Sequence, residues 1–130
     1  MSDKCTCGAA LHLSKGVTIS VDGIDVKTDA RKEECRECGE DFVMGKDLQA
    51  AEQAAAIEVL TNMQIQVSGR AIRFGRGSLG LRQLDLAQML GVRMETISRW
   101  EKQAQVDRAP RLLVAEVIRI YSTEPERLAV

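Results

Sequence analysis

Apolar and polar residues alternate strictly in Val17-Thr18-Ile19-Ser20-Val21 and again in Ile24-Asp25-Val26-Lys27-Thr28. Both runs are rich in β-branched residues, which suit a pleated, half-buried surface. Asp22-Gly23 separates them, so the pair predicts a β-hairpin closed by a primed two-residue turn. Phe42-Val43-Met44 predicts a further short strand. The period then changes. No Gly or Pro occurs from about residue 46 to 67, and the Ala-rich stretch 49–60 has high helix propensity. Leu48, Ala51, Ala55, Val59 and Met63 recur every three or four residues as one apolar stripe, which Ile57 and Leu60 widen. The pattern predicts a linker helix over 46–68, terminated by Gly69. Shorter helices follow over about 70–78, stopping near Gly80, then 83–90 and 94–103. Pro110 stands near the start of another, running to about Tyr121, where its fixed φ is tolerated. The tail 124–130 is expected to form one loose turn. The fold class is α+β, with an N-terminal hairpin unit (1–45), a linker helix (46–68) and an all-α domain (69–130).

Within the all-α part, Leu86, Ala87 and Leu90 give one helix its buried face. Gly91 stands where the chain must turn sharply after that helix, often with φ > 0, which Gly adopts without a Cβ clash. Val92, Ile97 and Trp100 supply the inner face of the next helix. Small Ala87 lets that helix cross closely above it. These positions describe two short helices at a steep angle around a three- or four-residue turn.

The ordered set Leu81, Gln83, Leu86-Ala87, Leu90-Gly91 and Ile97-Ser98-Arg99-Trp100-Glu101 resembles the lambda-repressor/Cro (Xre) family, over about residues 70 to 121. The resemblance implies that residues 94–103 form a recognition helix in the DNA major groove while the preceding helix crosses the backbone. Carried over by position, Gln83 is a phosphate contact, and Met94, Glu95 and Arg99 face base edges. Thr96 and Ser98 are further phosphate contacts. Arg99 is chemically the strongest of these, because a guanidinium can donate two hydrogen bonds to guanine O6 and N7, for roughly 1–3 kcal/mol of discrimination. Glu95 either accepts from a cytosine amino group or orients Arg99 one turn later. Arg82 and Arg93 stand where Ser or Thr is common in the family. Neither can accept from the orphan N–H groups, so weaker capping is expected and both are candidates for phosphate.

A net charge of −1 over 130 residues looks wrong for a nucleic-acid binder until the chain is divided at Gly69. Residues 1–68 hold 7 Lys+Arg against 12 Asp+Glu, a balance of −5; residues 69–130 hold 11 against 7, a balance of +4. Ten of those 11 cations are Arg, the side chain suited to forked contacts with phosphate and guanine. Two halves with different partners follow from this asymmetry. No run of 18 apolar residues occurs, nor a charged-then-apolar leader, so a soluble cytoplasmic protein without membrane contact is expected.

All four cysteines, Cys5, Cys7, Cys35 and Cys38, fall in the first 38 residues. Clustered pairs in a cytosolic chain are more often metal ligands than disulfides. Cys35-Arg36-Glu37-Cys38-Gly39 has the usual two residues between ligands, and its Gly frees backbone N–H groups to face sulfur. Cys5-Thr6-Cys7-Gly8 has only one, so Cys5 is the displaced ligand; the expected set is the four cysteines, with His12 as the alternative to Cys5. A filled tetrahedral thiolate site suits structural Zn²⁺. A unit of about 45 residues needs such a staple, worth roughly 10–16 kcal/mol in small peptides. A redox switch is the rival reading.

Cys pair, hairpin, Cys pair, helix and Cro-type domain, in this order and length, resemble the MqsA family of type II antitoxins. The N-terminal part is similar to that family's YgiT-type zinc finger. The resemblance implies an N-terminal unit that neutralises an mRNA-cleaving toxin and a C-terminal domain that dimerises and represses its own operon. A homodimer would read a palindromic double-stranded operator with half-sites ~34–36 Å apart or a multiple of it. Leu112, Leu113, Val117 and Ile118 are the candidate dimer face. The alternative is a stand-alone Xre-type regulator whose zinc unit senses metal, redox state or a ligand. An enzyme is not expected: nothing resembles a nucleophile–base pair or an open metal site, and Gly75-Arg76-Gly77 is a weak phosphate-loop signal.

Overall fold

Asp22 and Gly23 both adopt positive φ, +52° and +79°, the turn geometry that the Asp-Gly pair predicts. The computed structural model describes residues 4–123; the expected turn at 124–130 lies outside them. The strands β1 (Leu11–Val21) and β2 (Ile24–Cys35) are antiparallel and about twice as long as the alternation suggests. The register shifts between Lys15 and Val17, where Gly16 has φ +109°, and this bulge hides the outer half of the hairpin from a period-two reading. The predicted third strand shrinks to β3 (Asp41–Phe42), paired with Glu33 and Glu34.

Among the described residues five helices follow: α1 (Gly45–Thr61), α2 (Gly69–Ser78), α3 (Gln83–Leu90), α4 (Met94–Lys102) and α5 (Arg108–Thr123). One core joins them to the hairpin. Ile19, Val21 and Val26 of the turn half are buried in the same cluster as Ala51, Ala55, Ala56, Val59 and Leu60 of α1, and as Ile72, Ile97, Val114 and Ile118 beyond. Because α1 packs against the hairpin, α2 and α5, its buried positions extend beyond a single stripe. Leu48 is exposed, Met63 lies beyond the helix end, and Ala56 and Leu60 are fully buried.

The linker helix is shorter than predicted because its C-terminus is capped from outside. Arg111 of α5 is 4% exposed, and its guanidinium donates to the carbonyls of Val59 (2.9 Å), Leu60 (3.0 Å), Asn62 (2.7 Å) and Ile65 (2.9 Å). These include carbonyls that a helix end leaves without intrahelical partners, where the macrodipole favours a cation. Burial lowers the Arg111 pKa. Gly69 does not terminate α1; it begins α2. A Cβ there would collide with the backbone of Trp100 and Glu101, and its N–H donates to the Gln103 carbonyl at 2.8 Å. Its small size serves this close approach of α2 to α4.

Other helix ends are closed in the same way. Ser68 caps α2 by accepting from the Arg70 N–H at 3.2 Å, and is itself held by the hairpin turn. Its N–H and hydroxyl donate to the Asp22 carboxylate at 2.7 and 2.8 Å. At the far end of α2, the amides of Gln49 and Gln53 donate to the Ser78 carbonyl. The start of α3 is closed by Asp85, which accepts from both the Arg82 N–H (2.8 Å) and its guanidinium. The Asp85 carboxyl is lowered by that guanidinium hydrogen bond and by the backbone N–H. Arg82 is thus paired within the chain, although it remains exposed. Of the candidate dimer face, Val117 and Ile118 are buried in the core, leaving Leu112 and Leu113 exposed at 38% and 44%.

Replacing Arg111 by Met should cost about 3–5 kcal/mol of unfolding free energy in urea, by stranding several buried carbonyls. Arg111→Lys should fall between the two, because an ammonium has three donors to share among four carbonyls.

Candidate nucleic-acid interface and metal centre

The turn between α3 and α4 has the geometry its sequence implies. Gly91 has φ +67°, and the Val92 N–H donates back to the Ala87 carbonyl at 3.0 Å. Leu86, Ala87, Ile97 and Trp100 are buried between the helices. The opposite side of α4 is open. Met94, Glu95, Ser98, Arg99 and Lys102 line one shallow depression together with Gln83 and Gln103. Arg99 is exposed and, among the described residues, has no hydrogen-bond or ion-pair partner. Glu95 is exposed at the same surface and makes no ion pair with Arg99, so the expected orienting role is not seen. Arg93 is exposed at the N-cap of α4 without capping it through its side chain; its carbonyl accepts from the Thr96 N–H. Thr96 and Ser98 are half-buried.

This face rests on a half-buried ion pair. Arg76 of α2 donates from Nε and Nη2 to the two carboxylate oxygens of Glu101, at 2.7 and 3.0 Å, and from Nη1 to the Leu81 carbonyl. Gln83, expected as a free phosphate donor, spends one amide N–H on Glu101 Oε1 at 3.1 Å. Its remaining polar groups still line the depression. Gly75-Arg76-Gly77 is therefore not a phosphate loop: Gly75 packs beneath Ile118, and Arg76 points at Glu101. Sequence reasoning overlooked Lys102 and Gln103 at the surface, although Lys102 follows Ser98 and Arg99 by four and three residues and so shares their face.

At the other end of the molecule the four cysteines converge. Their Sγ atoms all lie within 4.8 Å of one another, with Cys5 to Cys38 at 3.4 Å and Cys7 to Cys35 at 3.5 Å. A tetrahedral site with metal–sulfur bonds of about 2.3 Å has sulfur–sulfur edges of about 3.8 Å, so the set fits one metal ion. The thiols are free, and these separations far exceed a disulfide bond of about 2.05 Å. His12 is exposed on β1 opposite Glu34 and stands outside the cluster, whose fourth member is Cys5.

The unequal spacing of the two pairs has a backbone explanation. In the first, the Gly8 N–H donates to the Cys5 carbonyl and the Cys5 N–H to the Ala9 carbonyl. In the second, the Gly39 N–H donates to the Cys35 carbonyl and the Cys35 N–H to the Glu40 carbonyl. Each turn places a positive-φ Gly after its second Cys, and the first is simply one residue shorter. The Cys38 N–H, opposed by burial and aided by the Glu37 N–H, brings the Cys35 thiol down to about 7. At Cys35 these backbone donors favour the thiolate, the form a metal requires, whereas the Cys7 and Cys38 thiols are raised.

Residues 72–118 match a protein-family model described as helix-turn-helix, covering α3, α4 and most of α2 and α5. The chain therefore carries a helix-turn-helix domain, which supports a DNA-binding transcription regulator. Comparison with curated proteins and with solved structures found no match. No helix among the described residues is long and apolar enough to cross a membrane.

Cys35→Ser should abolish stoichiometric metal binding in reduced full-length protein, measured by elemental analysis. Hydrogen exchange in that variant should accelerate in residues 4–15 and 31–42, while the helices that share the core keep their protection.

Proposed function

We propose that this protein is a transcriptional repressor that serves as the antitoxin of a type II toxin–antitoxin system. It neutralises an mRNA-cleaving toxin and, as a homodimer, represses its own operon at a palindromic site. The observation that carries the DNA half of this reading is Arg99, exposed and without a partner among the described residues, on the outer side of α4 inside the matched helix-turn-helix. The acidic balance of residues 1–68 suits a basic ribonuclease, since opposite charge steers association. Leu112 and Leu113 are the members of the candidate dimer face left exposed for a two-fold contact. The metal is structural Zn²⁺, for four protein thiolates leave no position for a reacting water. The protein is not an enzyme in this reading, and it acts in the cytoplasm, where thiols stay reduced.

A second reading, a stand-alone regulator whose zinc unit senses metal, redox state or a ligand, draws on the Asp22–Ser68 clamp. That contact ties the hairpin turn to the N-terminus of α2, and α2 packs on α4.

Two measurements test the proposal. Arg99→Ala should remove sequence preference from DNA binding while leaving the circular dichroism spectrum unchanged; retained preference would take Arg99 out of the interface. Co-expression with the product of the adjacent small basic reading frame should restore growth that this product alone arrests. A harmless neighbour, or arrest that persists, would overturn the antitoxin role and favour the stand-alone regulator.

A further inference from the structure

Among the described residues, Met94 is the one apolar side chain lining the depression on the outer side of α4; the other six lining residues are polar or charged. It is 43% exposed, whereas Ile97 and Trp100 already supply the buried face of the same helix. Successive residues advance by about 100°, so Met94, Ser98, Lys102, Glu95 and Arg99 occupy an outer arc of about 140°, with Met94 at one edge and Arg99 at the other. Met94 is also the first residue of α4, and in a helix-turn-helix the N-terminal residues of the recognition helix meet base edges.

The major groove offers the C5-methyl of thymine as its apolar feature; every other distinguishing group there is a hydrogen-bond donor or acceptor. A thioether side chain has nothing to donate and accepts only weakly. We infer that Met94 is a specificity-determining residue that selects a thymine in each half-site by covering its methyl group. Arg99 reads a separate base pair. The two residues are five positions apart, about 7.5 Å along the axis, against ~3.4 Å per base step. This inference rests on the DNA-binding reading above and deepens it.

The test begins with enrichment of a random-sequence duplex library on the full chain. In the enriched duplex each thymine is then replaced singly by deoxyuridine, which deletes only the methyl, and affinity is read by fluorescence anisotropy. One thymine per half-site should respond, with binding weakened about fourfold, the worth of one buried methyl-sized group. Met94→Ala places a strong helix former at an exposed position and should fold normally. It should bind the thymine duplex about fourfold more weakly than the native chain and be indifferent to deoxyuridine. Met94→Leu should keep the response. Deoxyuridine tolerated at every position, or a penalty that persists in Met94→Ala, would overturn the role of Met94 while leaving DNA binding intact. Failure to enrich any duplex would instead overturn the DNA-binding reading, and this inference with it.

Discussion

The guanidinium of Arg111, buried against the C-terminus of α1, sets the frame for the rest of the molecule. It ends that helix at Thr61 and holds the following loop through the carbonyls of Asn62 and Ile65. That loop delivers Ser68 and Gly69 to their places. Ser68 can then be gripped by Asp22 of the hairpin, and Gly69 can lie against the backbone of α4. An unpaired cation in a protein interior is costly. Here the partial negative charge of a helix end and four carbonyl dipoles take the place of a carboxylate.

Arginine does two distinct jobs in the basic half. Arg76, Arg82, Arg111 and Arg119 have partners within the chain: Glu101, Asp85, the α1 carbonyls and Glu116. Arg99 belongs to the other group, on the surface that a nucleic acid would meet. The number of arginines alone therefore overstates the electrostatic footprint on DNA. The half-buried Arg76–Glu101 pair also means that the surface around α4 is built on α2 as much as on the two helices that name the motif. Gln83 is drawn into that pair, so its amide is oriented before any ligand arrives.

The hairpin is two structures joined end to end. Its turn half lies in the common core through Ile19, Val21 and Val26, and is clamped to α2 through Asp22. Its outer half has little to bury; Leu13 is 72% exposed. The cysteine cluster stands at this outer end, where a metal held by the four thiolates would substitute for a hydrophobic core. The two turns that carry the ligands differ in length by one residue yet present their sulfurs to a common centre.

The sequence by itself determined the elements and most of the candidate chemistry. Local rules suffice for an Asp-Gly hairpin turn, a Gly at the left-handed end of α3, the inward spacing of Ile97 and Trp100, and the outward position of Arg99. The Cys-Gly endings likewise announced two ligand-bearing turns, although which residue completed the set was open until the chain brought Cys5, and not His12, to the other three. What only the tertiary structure decided is where the helices end and what holds them there. Arg111 lies about fifty residues from the carbonyls it caps, and Asp22 lies 46 from the Ser68 it grips. Arg76 and Glu101 are 25 apart, and Gly69 is explained only by the backbone of Trp100 and Glu101. These contacts carry no periodicity along the chain. Each satisfies a polar group, or fills a space, that exists only after two distant segments have met.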